Sequence, residues 1–275
     1  MYATLIPMQI IDGRLAKQYY IPKLMERIKG LSFIPKLAII QIGNRPDSDS
    51  YIKAKKSFAV KIGVKEEHIQ FDEKVSQEEV IEIIKKLNND KTVQGIIVQL
   101  PLPLHLNTEI IIETIDPRKD LDGLTSRTLF MPATARGVSQ LFDFYNINLN
   151  NKKVTVIGRS KLVGTPIAGM CRNRKAIVTV CHSKTENIRE ETRDADILIV
   201  AIGKAKLINR EYIKKDQIII DVGISRQPDN TLSGDVDFDN VKDIVAMISP
   251  VPGGVGQMTV LALFENLIDS CYNVR

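Results

Sequence analysis

Tyr51 and Lys55 stand four residues apart in the segment DSYIKAKKSFAVKIGV (49–64), and this spacing places both side chains on one face of a helix. A lysine accepts a proton only where burial or a neighbouring positive charge keeps part of it neutral. A helical face rich in charge is more often simply solvated. The segment alone therefore leaves a catalytic pair and an ordinary surface face both open.

Three further segments carry polar groups or glycines where ligands bind in α/β proteins. Gln99 ends the apolar run GIIV before the turn PLPLP, at the carboxyl end of a predicted strand, where it bonds either a ligand or the loop backbone. The turn KDLDG contains Asp120 and Asp122, and because Asp-Gly is a turn signal, spacing favours Asp122 as a turn former over a ligand. The glycine-rich segment ISPVPGGVGQMT (248–259) presents backbone to a flat or anionic group and then opens a helix.

A glycine-containing turn, GRSKLVGTP (158–166), follows the predicted strand VTVI and leads into an apolar helix. Gly158 permits a tight turn, and Gly164 lets the start of the helix approach a pyrophosphate, where free N–H groups and the helix dipole favour anions. The pattern differs from G-x-G-x-x-G, and similar turns occur in α/β proteins that bind no dinucleotide. The turn by itself leaves a nucleotide site and a plain connection equally open.

The residues after the next predicted strand favour NADP over NAD. An NAD site carries a carboxylate there for the ribose 2′-hydroxyl, whereas Val180 is followed by CHSKT (181–185), which contains no acid. Ser183 is a neutral donor, and Arg159 in the preceding turn is a planar cation suited to a 2′-phosphate. The alternative is that Arg159 is a solvated loop residue and Ser183 an N-cap.

The elements that must position these groups alternate between short β-rich apolar runs and helical patterns, which predicts a mainly parallel α/β architecture. Ser50 and Gly63 are the expected cap and end of the helix over 49–64, Ser76 and Glu79 form a capping box, and Asn107 caps a short helix. The first series comprises helices at 13–29, 49–64, after 76 and at 107–114, strands at 36–42, 68–74 and 95–99, and a loop at 116–134.

A second series follows the polar stretch NINLNNKK and predicts a doubly wound nucleotide-binding fold. It comprises a helix at 135–145 and strands at 154–158, 177–181, 196–203, 217–223 and 244–249. We therefore predict a first domain over 1–147 and a second over 148–257. The last helix, within 258–275, is able to pack on either domain, including back on the first.

Composition narrows the class of protein. The chain has 275 residues, 44% of them hydrophobic, and a net charge of +5 spread along its length, which suits phosphate- or carboxylate-bearing ligands. Aromatic residues make up 5% and tryptophan is absent, so we expect no nucleic-acid partner. Three cysteines without paired spacing indicate a reducing compartment, and no Cys, His and carboxylate set has metal-site spacing. With no secretory pattern and no membrane-length apolar run, we expect a cytoplasmic protein with no metal and no membrane partner.

Taken together and in this order, the segments resemble the bifunctional methylenetetrahydrofolate dehydrogenase/cyclohydrolase family over nearly the whole chain. Each motif alone is weak, but their collinear occurrence is specific. The matching segments are SDSYIKAK, GIIVQLPLP, KDLDG, VIGRSKLVGTP, TVCHSKT, ADILIVAIG, DVG and PVPGGVGQMT.

The resemblance implies an N-terminal α/β substrate domain and a C-terminal Rossmann-type NADP-binding domain, with the active-site cleft between them, in a homodimer. It implies oxidation of 5,10-methylenetetrahydrofolate by NADP and hydrolysis of the methenyl product to 10-formyltetrahydrofolate. Implied catalytic positions are Lys55, Tyr51, Gln99 and Asp122. Implied folate contacts are Tyr51, Ser48, Gln99, Leu100, Asp122, Pro252, Gly253 and Gly254. Implied cofactor positions are Gly158, Arg159, Ser160, Val163, Gly164, Pro166, His182, Ser183, Ile202, Gly203, Gly223 and Ile224.

The residue types suit those implied roles. A nearby methenyl cation and partial burial would lower the pKa of Lys55, and a neutral Gln99 does not hold that lysine charged as a carboxylate would. Asp122 offers two acceptor oxygens to adjacent N–H groups of a pterin.

The sequence departs from the family pattern around the substrate. The usual P-C-T-P-x-G is PATARG here, with Ala133 and Ala135 replacing a cysteine and a proline, and the loop over 123–132 is roughly ten residues shorter than usual. Gln257 replaces the last proline of P-G-G-V-G-P. Two other functions stay open: an NADP-dependent dehydrogenase of another small substrate, and a folate- or nucleotide-binding protein without turnover.

Overall fold

The computed structural model describes residues 8–229 and 231–273, apart from the side chains of Asp47 and Asn273. The strands are β1 (Gln9–Ile10), β2 (Lys36–Ile42), β3 (Lys65–Phe71), β4 (Gly95–Val98), β5 (Lys153–Ile157), β6 (Ile177–Cys181), β7 (Ile197–Val200), β8 (Ile218–Asp221), β9 (Ser225–Arg226), β10 (Leu232–Ser233) and β11 (Met247–Ile248). The helices are α1 (Gly13–Lys29), α2 (Pro46–Ile62), α3 (Gln77–Asn89), α4 (Thr108–Glu113), α5 (Ala133–Phe144), α6 (Gly164–Asn173), α7 (Ile188–Asp194), α8 (Phe238–Val241) and α9 (Val255–Asn273). No helix within the described residues is long and apolar enough to cross a membrane.

Capping signals predicted the starts of α3 and α4 and the end of α2, where Ser76, Asn107 and Gly63 are the cap residues. α1, β2 and β6 have the predicted bounds, and the capping box at the start of α3 is confirmed, because the Ser76 hydroxyl accepts from the Glu79 N–H while the Glu79 carboxylate accepts from the Ser76 N–H. The prediction that Ser50 caps α2 is wrong. The helix begins four residues earlier, at Pro46, whose fixed φ suits a first helical position, and Ser50 instead donates to the Pro46 carbonyl.

One compact unit, the three-stranded unit, comprises Tyr19–Ala133 and the described part of Val260–Arg275. Its parallel sheet has the order β3-β2-β4, with β2 in the centre and buried along almost its whole length. A strand buried on both faces is usually rich in apolar residues, which explains the apolar run over 37–40. Helices α3 and α4 pack on this sheet through a core that includes Ile40, Val80, Ile84, Ile96, Val98 and Ile111.

The other unit, the six-stranded unit, comprises Thr134–Thr259 and the described part of Met1–Gln18. Its parallel sheet has the order β1-β11-β8-β7-β5-β6, so the strand order reverses at β5. In open α/β sheets ligands bind beyond the carboxyl ends of the strands at such a reversal, which is where the turn 158–166 begins. The small antiparallel hairpin of β9 and β10 was not predicted.

The division by contacts differs from the predicted boundary at 147/148. β1 pairs with β11, and the Tyr145 hydroxyl accepts a 2.7 Å hydrogen bond from the Asp12 N–H. Residues that precede the three-stranded unit in the chain, and residues 134–147, therefore fold with the six-stranded sheet. Residues of α9 from Val260 onward pack in the three-stranded unit, where the ring centroids of Phe264 and Phe58 lie 5.3 Å apart. These long-range contacts, which hydrophobic periodicity does not report, decide the division.

Candidate active site

Lys55 is a buried lysine in α2. Its side chain is only 8% exposed, and Nζ donates a 3.0 Å hydrogen bond to Oε1 of Gln99, 44 residues away in sequence. Tyr51, one turn earlier, is 38% exposed. The solvated-face interpretation therefore does not describe Lys55, although it does describe the exposed Lys53 on the same helix.

Gln99 is fixed by its own hydrogen bonds. Its backbone N–H donates to the Ile40 carbonyl at 2.8 Å, which extends the pairing of β4 with β2 by one residue. Its side-chain Nε2 donates to the Leu100 carbonyl at 2.9 Å. Because the amide nitrogen is occupied there, the amide oxygen faces Lys55 as a neutral acceptor.

The KDLDG turn is built by Asp120 rather than Asp122. The buried Asp120 carboxylate accepts hydrogen bonds from the N–H groups of Gly123 at 3.0 Å and Thr125 at 2.8 Å. Gly123 has a φ of +71°, a conformation that favours glycine. The turn therefore does not need the Asp122 side chain as its acceptor.

Lys55 and Asp122 influence each other electrostatically. Burial lowers the pKa of Lys55, and attraction to Asp122 opposes that shift. Burial raises the pKa of Asp122, attraction to Lys55 opposes this shift, and repulsion from Asp120 adds to it. Burial thus drives both groups towards their uncharged forms, which is the condition under which a lysine can accept a proton near neutral pH.

The first turns of α2 are held by a polar network that the sequence interpretation missed. Nε2 of the buried Gln41 side chain, on β2, donates to Asp49 at 2.7 Å, and its Oε1 lies 2.8 Å from Nε2 of His68 on β3. Burial and the nearby Lys56 lower the pKa of His68, and Glu66 and Asp49 oppose this shift. The available signal was a glutamine within an apolar central strand. Ser48, one of the predicted folate contacts, is buried in the same turn.

The turn after β5 is too tight for side chains at its two glycines. Gly158 has a φ of +120°, and a Cβ there would collide with the Ala201 carbonyl, while a Cβ on Gly164 would collide with the Gly158 carbonyl. The Ser160 hydroxyl accepts from the N–H groups of Val163 at 3.1 Å and Gly164 at 3.3 Å. Ser160 thus satisfies two backbone N–H groups at the start of α6, and the glycines let backbone lie close to a ligand placed over the turn.

Arg159 and Ser183 follow paired strand ends. Ile157 of β5 and Cys181 of β6 are register partners, so each of the two polar residues lies two positions beyond the pair. Both side chains are exposed. The turn after β6 is closed by a 3.0 Å hydrogen bond from the His182 N–H to the Thr185 hydroxyl. The turns after β5 and β6 therefore each expose a polar side chain, a guanidinium at Arg159 and a hydroxyl at Ser183.

The remaining predicted cofactor and folate positions of this unit lie at the same edge of the sheet. Ile202 and Gly203 lie two and three positions beyond the end of β7, Gly223 and Ile224 two and three positions beyond β8, and the loop 252–254 follows β11. The Gly253 carbonyl accepts a 2.8 Å bond from the N–H of Gly13 at the start of α1. Pro166 lies in the first turn of α6. Parallel pairing therefore gathers residues far apart in sequence along one edge.

The described residues contain no group of three or more His, Cys, Asp and Glu side chains able to hold a metal ion.

Comparison with known proteins identifies the family. Residues 11–122 match the tetrahydrofolate dehydrogenase/cyclohydrolase catalytic domain, and residues 132–275 match the NAD(P)-binding domain of the same family. The chain is 43% identical over 253 residues to the bifunctional protein FolD of Bacillus anthracis, covering 89% of this chain and 88% of that relative.

Solved structures agree with this match. The methylenetetrahydrofolate dehydrogenase/cyclohydrolase FolD of Campylobacter jejuni superimposes with a TM-score of 0.93 at 37% identity, covering 97% of this chain and 99% of that one. The Trypanosoma brucei dehydrogenase-cyclohydrolase, solved with NADP and an inhibitor, gives a TM-score of 0.90 at 31% identity, covering 96% and 97%. Both the sequence matches and the fold therefore place this chain in the tetrahydrofolate dehydrogenase/cyclohydrolase family.

Proposed function

We propose that this chain is a bifunctional enzyme of one-carbon metabolism. It oxidises 5,10-methylenetetrahydrofolate to 5,10-methenyltetrahydrofolate with NADP, and it hydrolyses the methenyl product to 10-formyltetrahydrofolate. The buried Lys55, hydrogen-bonded to a neutral amide and with a pKa lowered by burial, is the observation that carries the proposal, because it supplies a proton acceptor within the matched catalytic domain.

The residues of the six-stranded unit fit NADP. The side-chain-free turn of Gly158 and Gly164 suits close approach of a pyrophosphate, and Arg159 with Ser183 suits a 2′-phosphate. When bound, NADP supplies the acceptor for the hydride that leaves the methylene carbon of the folate. The contribution of this chain to that step is to orient the two partners and exclude water.

In the hydrolytic step Lys55 accepts a proton. Water adds to the methenyl carbon, and the neutral amine of Lys55 takes the proton lost by that water as its oxygen bonds to carbon. The tetrahedral adduct then collapses: the bond from the former methenyl carbon to N5 of the folate breaks, the carbon becomes the formyl carbonyl, and N5 is protonated. One proton is released overall. Gln99 keeps the amine in place without adding a negative charge that would hold it protonated.

The folate is bound by groups around that amine. The Asp122 carboxylate accepts from adjacent pterin N–H groups, and the exposed ring of Tyr51 lies against the flat ring system. The family resemblance also implies folate contacts from Ser48 and Leu100 in the three-stranded unit, and from Pro252, Gly253 and Gly254 in the six-stranded unit. The loop over residues 123–132, which follows Asp122, is shorter than the corresponding loop of the family pattern.

One preparation assayed for both steps tests the proposal. We expect folate-dependent reduction of NADP and loss of methenyl absorbance without cofactor. Absence of both activities would contradict the proposed function. Turnover of a different small substrate would favour an unrelated NADP dehydrogenase, and binding of both ligands without turnover would favour a binding protein.

We also propose that the enzyme is a cytoplasmic homodimer, on the strength of the family resemblance. Sedimentation velocity of the purified chain tests the dimer, and fractionation of cells that produce it tests the compartment.

A further inference from the structure

Two buried carboxylates lie outside the residues discussed so far. Asp235 is 0% exposed and Asp221 is 3% exposed. Asp235 accepts three hydrogen bonds from successive backbone N–H groups of the loop after β7: Ile202 at 2.6 Å, Gly203 at 2.9 Å and Lys204 at 2.7 Å. A carboxylate placed there ties that loop to the segment after β10.

Asp221, at the end of β8, holds Asp235 in turn. Its carboxylate accepts from the N–H groups of Asp235 at 3.1 Å, Val236 at 2.9 Å and Gly223 at 3.0 Å. The packing is interlocked, because a Cβ on Gly223 would collide with the Asp235 carboxylate and a Cβ on Gly234 would collide with that of Asp221. The ends of β7 and β8 are thereby fixed relative to each other by two side chains.

The Asp235 carboxylate occupies the backbone N–H groups with which the loop after β7 could bind an anion. Three successive N–H groups converge because Gly203 adopts a φ of +70°, and such concave backbone binds anions well. An internal carboxylate already occupies it, so a cofactor phosphate has no donors there. The loop after β7 therefore contributes to cofactor binding by its shape and not by free backbone donors.

Strand order assigns the loops to one half of the cofactor. The adjacent strands are β6, β5, β7 and β8. With the 2′-phosphate beyond β6 and the pyrophosphate beyond β5, the remaining nicotinamide half extends towards β7 and β8. The loops fixed by the two carboxylates are the ones along that path.

We propose that Asp235, held by Asp221, is a positioning residue that fixes the loops after β7 and β8 for the nicotinamide half of NADP. This inference rests on the proposed function. Two neighbouring buried carboxylates oppose folding through desolvation and mutual repulsion, which is a cost that proteins accept mainly at functional sites. Consistent with that cost, burial raises the pKa of Asp221 to about 7, although backbone N–H groups oppose the shift.

The test is Asp235→Asn, with Asp229→Asn as control. Asparagine keeps one neutral acceptor oxygen and turns an amide NH₂ towards at least one loop N–H, so at least one hydrogen bond is lost and the others lose their charge assistance. We expect the KM for NADP in the dehydrogenase reaction to rise roughly 10- to 100-fold, with the cofactor-free hydrolysis of methenyltetrahydrofolate within about twofold of wild type. Asp229, an exposed residue between β9 and β10 whose carboxylate accepts from the N–H and hydroxyl of Thr231, leaves both activities unchanged when replaced.

An unchanged KM for NADP, or equal loss of both activities, would overturn the assignment of Asp235. If Asp235→Asn does not fold, Asp221→Asn is expected to raise the same KM in the same selective way, and misfolding of both variants would make the pair a folding element only. A wild-type chain without either activity would instead contradict the proposed function, so the two failures are distinguishable.

Discussion

Replacing Gln99 by glutamate places a negative charge 3.0 Å from the Lys55 amine, where a neutral oxygen now accepts its hydrogen bond. At an effective dielectric constant of about 20, two unit charges at that distance attract by roughly 5 kcal/mol. Desolvation of the new carboxylate offsets part of this attraction and leaves a net stabilisation of the charged lysine of about 3 kcal/mol. Since 1.4 kcal/mol corresponds to about a factor of ten, the neutral fraction of Lys55 falls roughly 100-fold near neutral pH.

The cyclohydrolase rate should fall by the same factor. Hydrolysis is followed as loss of methenyl absorbance across a pH series, and dehydrogenase activity is measured as NADPH formation on the same preparation. We expect the hydrolytic rate of Gln99→Glu to recover as the pH rises, because the substitution raises the pKa of Lys55. Hydride transfer should be affected less, since it needs orientation rather than a neutral amine. Gln99→Met removes the hydrogen bond without adding charge and is the matched control.

Two results would refute this reasoning. In the first, Gln99→Glu hydrolyses the methenyl compound at the wild-type rate with an unchanged pH profile. In the second, Gln99→Met loses as much activity as Gln99→Glu with the same pH profile, which would show that the hydrogen bond and not the charge matters.

Three other substitutions probe separate parts of the site. Lys55→Met should lower the cyclohydrolase rate at least roughly 100-fold and hydride transfer by a smaller factor. The exposed control Lys53→Met should change neither activity, and equal loss of both activities in Lys55→Met would contradict the assigned role. Arg159→Ala should raise the Kd for NADP roughly tenfold or more and leave that for NAD nearly unchanged, as measured by titration calorimetry, and equal weakening would remove the 2′-phosphate assignment. Burial raises the pKa of Asp221 from 3.8 to about 7, so between those pH values the folded chain binds more protons at this group than the unfolded chain does. The contribution of Asp221 to the free energy of unfolding therefore falls as the pH rises through that range. Asp221→Asn should flatten that dependence in urea unfolding at the two ends of the range, and an undiminished slope would contradict the assignment.

Helix α2 illustrates how far local pattern reaches. Four-residue spacing predicted that Tyr51 and Lys55 share a face, and the helix is present. Spacing could not tell whether that face is buried, because the answer depends on Gln99, which lies beyond a strand 44 residues away. The N-cap was misplaced for a different, local reason: Ser50 is a favoured cap type, but Pro46, a residue type common at the first helical position, begins the helix. The roles of these side chains in folate binding stay predictions.

In the six-stranded unit, too, the sequence revealed which residue types are present but not which residues they contact. The order of apolar runs predicted the parallel strands, and the absence of an acid after β6 was readable directly. The hairpin of β9 and β10 escaped prediction because each strand has only two residues, too few for a periodic signal. The partners of Asp235 were equally hidden, since an aspartate before a short helix reads as an ordinary cap or turn residue.

The sequence by itself determined the parallel α/β class, several helix ends and the residue types available for chemistry, because strand period, capping and turn preferences depend on neighbours a few residues away. Only the tertiary structure decided which of those residues are buried together. The three N–H groups that surround Asp235 come from residues 31 to 33 positions earlier, and the lowered pKa of Lys55 arises from burial by distant segments. Desolvation and hydrogen-bond pairing act through space, so they become visible only when the chain is folded.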